Sequence, residues 1–416
     1  MPPTDSLQDT YARLLVHAEP ERGYPLWFPE PSIQLPPKFL HGGVRIGDVG
    51  IVTAHGNFDV FFNICLPEFH PLHHRYGVPE GFKQIKLSEK DVEIIEDPNY
   101  RGCIVTAKCS PKKGVNVKVT GANPNVVAVK GSKSESTAKA AFLALPGGAD
   151  KHDLRDTSIF QREAMRMGKK WYEFALNKLG RTTMSCDSLY LVTGYHKAST
   201  WTLAAFHNPA AIWNVDVRYT ENGDVLVTDP WHRTSISPCP IGFDEKKNHT
   251  VTMRGFKIAI TEKTFRSLLP SGKGKGLFSV IAPLLHHGPP THKIYHPLDG
   301  INSILLGQAK HCDMVVTHDS MWKDIVKELP SDRSHVVAAI KKKGYVLSSH
   351  AGCAYLRKRG ADGPVQSNCS GLALSIRVNR AVAKLAVRVK TQEKKRVDTN
   401  KEKKKEKATR RNVKRK

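Results

Sequence analysis

The sequence is short of acids, short of cysteines, and free of long apolar runs. Its 416 residues hold 39 Asp and Glu against 64 Lys and Arg, a formal net charge of +25. That imbalance favours anionic partners. No uninterrupted apolar stretch reaches about eighteen residues, so no membrane-spanning helix is expected. The eight cysteines stand at 65, 103, 109, 186, 239, 312, 353 and 369, and no CxxC occurs. Such scattered thiols read as reduced and mostly buried. The segment Met1-Pro2-Pro3-Thr4-Asp5 has neither a basic n-region nor an apolar h-region, so no secretory signal is expected. The chain then belongs in the nucleus or cytoplasm and is not secreted. The sequons at Asn248 and Asn368 carry no meaning there. Phosphate and nucleophile signatures are missing too. There is no GxxxxGK followed by Ser or Thr, no GxGxxG between strand and helix, and no GxSxG elbow. These absences lower the odds of an enzyme without excluding one, and no cofactor is expected.

What is present begins with enough hydrophobic side chains, 40% of the residues, to build sizeable cores. A short amphipathic helix is expected over Asp5–Glu19, with Leu7, Tyr11, Leu14, Leu15 and Ala18 on one face and Asp5 and Gln8 as a capping box. The proline-rich run GYPLWFPEPSIQLPPKFL follows, read as an extended arm pinned to its own body by Tyr24, Trp27 and Phe28. Val44–Ile64 reads as a hairpin turning at His55-Gly56-Asn57. Further strands are expected at 92–95, 103–107, 115–120, 126–129 and 140–145. Ser158–Leu179 carries the clearest helical stripe, with Phe160, Ala164, Met167, Trp171 and Phe174 spaced by four and three. Strands return at 189–193, 201–206, 212–219, 224–228 and 251–260, with Asn222-Gly223 as a hairpin signal. Helices are expected at 261–269, 299–306 and 319–329, with Met314-Val315-Val316 a buried strand. The fold class is therefore α+β: a β-rich body with antiparallel hairpins, one long amphipathic helix near the middle, and a disordered basic C-terminal tail. The expected divisions are 1–41 (helix plus arm), 42–150 (β-rich), 151–340 (helix plus second α/β region), 341–389 (a basic segment without clear pattern) and 390–416 (tail).

Several segments carry a resemblance. GYPLWFPEP, GVRIGDVGIVTAHGNFDVFFNICLP, SLYLVTGYHKASTW, HPLDGINSILL and VVTHDSMW resemble a family of proteins abundant in mushroom-forming fungi, over roughly residues 10 to 325. The resemblance implies a fungal, intracellular body. It implies no activity, because no catalytic residue or cofactor is established for that family, and no residue role carries over.

Four features could carry chemistry. His70, His73 and His74, with Glu68 or Cys65, could form a zinc shell, but Pro71 makes the segment a loop rather than a one-face helical metal motif. His286, His287, His292 and His296 form a second histidine loop, and His311 beside Cys312 adds similar side chains. If the two loops met in space they could build a metal-dependent hydrolase. The run Thr317-His318-Asp319-Ser320 leaves a buried strand and enters a helix, where α/β enzymes place catalytic groups. The simpler reading is that Thr317 or Asp319 caps the helix while Trp322 and Ile325 pack beneath. Ser271-Gly272-Lys273-Gly274-Lys275-Gly276 reads as a mobile basic loop.

The C-terminal tail is the strongest signal. From Arg377 onward 18 Lys and Arg face four acids, so the last forty residues carry +14. A like-charged block repels itself and buries no core. Its clusters are Lys394, Lys395 and Arg396, then Lys403, Lys404 and Lys405, then Arg410, Arg411, Lys414, Arg415 and Lys416. They fit an import receptor or a polyanion. The tail has no aromatic residue to stack on bases, which argues against sequence-specific nucleic-acid recognition. Val378, Val382, Leu385 and Val389 form an apolar stripe beside basic residues, a weaker hint of membrane-surface attachment. The expectation is a non-enzymatic binding or interaction protein with a nuclear-directing tail. A metal-dependent hydrolase and a non-specific nucleic-acid-binding protein are the alternatives.

Overall fold

The alternating and helical stripes of the sequence fold into a three-layer body. A computed structural model describes residues 6–31, 42–96, 103–109, 118–120, 126–130, 139–145, 147–207, 214–219, 225–227, 232–236, 247–269, 295–325 and 333–359. The Ser271–Gly276 loop, His286, His287 and His292, the Val378–Val389 stripe and every basic cluster of the tail lie outside them.

Two long strands, Leu189–Ala198 and His249–Ile260, pair antiparallel and form the spine of a ten-stranded sheet. On one side, Leu189–Leu191 pairs with Asp48–Val52, which pairs in turn with Phe58–Asn63. On the other, Phe256–Ile260 pairs with Met314–His318. Bulges after Val192 and His196 bend the spine, and its far half pairs with Asp150–Leu154. The arm closes that half from the opposite edge, with Tyr24 and Pro25 registered on Met253 and Thr252. Of the expected anchors, Tyr24 and Trp27 are buried and Phe28 is half-buried, and Leu26 between them is buried as well. A second sheet orders His232–Ile236, Thr200–His207, Lys139–Leu145 and Cys103–Cys109. A third orders Val225–Val227, Asn214–Tyr219, Val126–Lys130 and Lys118–Thr120.

Strand alternation decides which helix covers which face. Ile258, Ile260, Met314 and Val316 face the helix Ser158–Asn177, whose Phe160, Ala164, Met167, Trp171 and Phe174 stripe is buried on them. Phe62 locks edge-on against Trp171 and Phe174, with centroids 5.8 and 5.6 Å away. Ala259 and Val315, one residue out of phase, face the opposite layer. There the helices Pro297–Gln308, Asp319–Ile325 and Arg333–Lys342 bury Ile301, Leu305, Trp322 and Ile340. The N-terminal helix, Leu7–Ala18, packs against the second sheet through Tyr11, Leu14 and Leu15.

The mixed α+β class and most elements follow the sequence pattern. Three details differ. The N-terminal helix is capped by the Ser6 hydroxyl, which accepts from Asp9 N–H at 3.1 Å, so Asp5 and Gln8 are not its capping box. Asp150–Leu154 is a strand despite its polar composition, because it serves as a register partner for Gly194–Lys197. Residues 345–358 form the hairpin Tyr345–His350 and Cys353–Lys358. Its second strand lies parallel to Met314–Val316, the one parallel pair among the described strands, and extends the sheet. The main sheet takes strands from both sides of residues 150 and 340, and Met1–Ala361 is one compact unit.

Trp171 is fully buried between the helix and the sheet. Trp171→Ala is expected to destabilise the protein by about 3–5 kcal/mol, read from urea denaturation midpoints.

Candidate functional site

Two of the three helices on one side of the sheet begin at a single buried carboxylate, Asp319. Pro297 sets the first turn of the Pro297–Gln308 helix, and the ring of His296 caps it by accepting from Leu298 N–H at 3.2 Å. Because Nδ1 accepts, the neutral ring carries its proton on Nε2. That nitrogen lies 3.5 Å from Asp319 Oδ1. Tyr24 stacks on the His296 ring at 4.8 Å and Tyr190 meets it edge-on at 5.7 Å. Asp319 Oδ2 accepts from Gly255 N–H at 2.9 Å and from the Tyr190 hydroxyl. A side chain at position 255 would collide with Leu191 O and the Tyr190 ring, so glycine is required for this close approach. Burial pushes Asp319 up to about 7, against the bonds from Tyr190 and Gly255 that favour its charged form.

Asp319 stands on one wall of a cleft of about 250 Å³. Its polar walls include Asp153, Arg254, Thr193 and His318, and Pro20 and Leu154 supply apolar surface. Asp153 accepts from Arg254 Nε at 2.9 Å and lies 3.2 Å from Lys151 Nζ, so one carboxylate bridges two cations. It fits there because residue 194 is glycine: a Cβ would lie 1.9 Å from Asp153 Oδ1. His318 receives Ser320 N–H on Nδ1 at 3.2 Å and meets Thr193 Oγ1 through Nε2 at 2.9 Å. Its Nδ1 must stay bare to accept, and burial together with Arg254 pushes its pKa down to about 3. His318 is therefore a neutral structural donor rather than a titrating base at ordinary pH.

A second polar cluster sits further along the same spine. Asp48 accepts from Arg45 N–H and from Asn63 Nδ2, each at 2.7 Å, and burial still pushes it up to about 6. Lys197, pushed down to about 7 by burial, donates to Gly42 O and lies 3.9 Å above the Tyr195 ring.

The structure sorts the residues singled out in sequence. His318 and Asp319 do stand together at a strand end, and Trp322 and Ile325 do pack beneath. The local cap is the His318 ring, however, while Thr317 Oγ1 donates to Asn302 Oδ1 at 2.6 Å and Asp319 turns to Tyr190 and Gly255. His296 joins them from the second histidine loop. The first loop is internally committed. His73 accepts Asn63 N–H on Nε2 at 3.1 Å and bonds Pro67 O at 2.9 Å, His74 bonds Phe69 O, and His70 accepts Leu72 N–H. His311 bonds Ser349 Oγ at the surface, and Cys312 is buried. Among the described residues no group of three or more His, Cys, Asp or Glu side chains is placed to hold a metal. Sequence reasoning missed Tyr24, Asp153, Tyr190, Thr193, Arg254 and Gly255. The available signal was charge and hydroxyl inside otherwise apolar strands, Arg254 and Lys257 above all. No protein-family model matches the chain, and no curated protein is similar to it.

The pH dependence of stability isolates Asp319. Between about pH 4 and pH 7 the native protein holds a proton that the unfolded chain has released, so this contribution is lost as pH rises through 7. His249 and His318, held by burial near 4 and 3, act in the opposite sense: below about pH 6.5 the unfolded chain takes up protons they refuse, and stability falls with pH. From pH 7 to pH 5, Asp319→Asn is expected to lose about 2 kcal/mol more stability than the unaltered protein. Urea titrations at the two pH values check this, and identical pH dependence in both proteins would mean that Asp319 does not titrate in this range.

Proposed function

We propose that the body is a non-enzymatic binding module for a small polar molecule, seated in the cleft over Asp319, and that the basic tail directs it to the nucleus or to a polyanion. The observation that supports the first half is the convergence of charged and hydroxyl groups on one concave surface: Lys151, Asp153, Arg254, Thr193, His318 and Ser320 line the cleft together with Asp319. The mix of hydroxyls, charges and a strip of apolar surface suits a molecule of few atoms held by several directed bonds. The binding reading stands ahead of hydrolysis because the described histidines are held as structural donors and acceptors. Among the described residues no helix is long and apolar enough to cross a membrane.

The tail reading is supported by its +14 charge over forty residues. The same charge supports a second reading, non-specific nucleic-acid binding, in which affinity falls steeply with salt. A tagged full-length protein is expected to accumulate in the nucleus, and a form ending at Arg388 to lose that accumulation. On heparin the full-length protein should elute at higher salt than the shortened form. Cytoplasmic location of both forms would end the import reading, and equal elution would end the polyanion reading. For the cleft, Thr157→Trp at its half-buried rim should fill it and abolish ligand signals in saturation-transfer NMR without lowering the unfolding midpoint.

A further inference from the structure

The charges on the cleft wall cancel one another. Two cations, Lys151 and Arg254, and two acids, Glu21 and Asp153, line it besides the buried Asp319. Arg254 Nε donates to Asp153 Oδ1 at 2.9 Å, its Nη2 lies 2.6 Å from the same oxygen, and its Nη1 donates to Glu21 O. Lys151 Nζ lies 3.2 Å from Asp153 Oδ2 and 3.4 Å from Glu93. Asp319 offers the cleft no charge of its own: it is 3% exposed, and its oxygens turn to Tyr190, Gly255 and His296. The paired groups do reach the cleft, with side chains 27% exposed at Lys151, 22% at Asp153 and 14% at Arg254. Thr157, Thr193 and Ser320 stand among them, and Pro20 and Leu154 supply the apolar strip.

We propose that the cleft takes a neutral polyol of monosaccharide size, its hydroxyls bridging Asp153 and Lys151 and its C–H face lying on Pro20 and Leu154. The inference rests on the cleft being a binding site. A wall of paired donors and acceptors needs a ligand group that gives and takes at once. A hydroxyl does both, with one O–H and two lone pairs. Lys151 has three N–H donors for two carboxylates, and the Asp153 carboxylate has about four acceptor sites for two cations, so each keeps capacity for such a group. An ionic ligand would give up its hydration to a surface with no net charge to replace it. The volume of about 250 Å³ lies just below the range of about 300–1,000 Å³ that larger ligands fill, and it suits a molecule of one ring.

The test uses the full chain with neutral and ionic probes, followed by saturation-transfer NMR and calorimetry. Glucose, ribose and glycerol are the polyols, and ethanolamine and acetate are a cation and an anion of small size. At least one polyol is expected to bind, and both ions to bind about tenfold more weakly or not at all. Because no net charge is neutralised, polyol affinity should change less than about twofold up to about 0.5 M salt. Asp153→Asn should weaken the polyol and, by leaving Arg254 and Lys151 without their shared carboxylate, let acetate bind. If that variant does not fold, Lys151→Gln at the more exposed partner serves instead: the polyol weakens and ethanolamine gains. Thr157→Trp-sensitive binding of acetate or ethanolamine to the unaltered protein, tighter than that of every polyol, would overturn the neutral ligand while leaving the cleft as a site. If no probe binds, or polyol binding survives Thr157→Trp, the cleft reading falls with it.

Discussion

A buried carboxylate must find donors, and much of the centre of this fold is arranged around that requirement at Asp319. An ionised group taken out of water is tolerated only where hydrogen bonds and nearby charge replace its hydration. Here its neighbours come from three places far apart in the chain: the Tyr190 hydroxyl and the Gly255 amide donate to Oδ2, and the ring of His296 lies 3.5 Å from Oδ1. Each requires an element in register. Tyr190 and Gly255 come from opposite members of the spine pair, and His296 from the N-cap of a helix on the covering layer.

That requirement also explains the glycines in the middle of long strands. Glycine within a strand costs conformational entropy and offers no side chain to the core. At 255 it opens room for the Tyr190 ring, and at 194 it opens room for Asp153 to reach Arg254. The bulge after Val192 lies beside both. Bulges commonly re-aim side chains next to functional sites, and here the bent half of the spine forms the cleft wall.

The body buries a set of histidines whose rings accept hydrogen bonds. His73 takes an amide proton from Asn63, His249 takes the Trp201 indole proton, and His296 and His318 each take an amide proton from the helix start that follows them. Burial therefore pushes His249 and His318 well below the usual imidazole range while it pushes Asp48 and Asp319 above the usual carboxylate range. The two groups respond to acid in opposite senses, so the body's stability changes less with pH than either group alone would dictate.

Periodicity alone determined most of the elements. The Phe160–Phe174 stripe, the Phe58–Asn63 strand and the 314–316 run could hardly be read otherwise, because a helix or strand with one buried face needs apolar residues at its own period. Patterns without that contrast stayed silent: Asp150–Leu154 is polar and 345–358 is mixed, and both are strands only because a neighbouring edge accepts them. At the candidate site, His318 and Asp319 were visible as a pair, since they are adjacent in sequence. Their meaning was not, because Tyr24, Tyr190, Gly255 and His296 are brought to Asp319 only by sheet register and helix placement. Composition by itself determined the strong positive charge of the last forty residues. Tertiary structure alone decided which charged groups meet, because pairing of charges depends on distance in space and not on spacing along the chain.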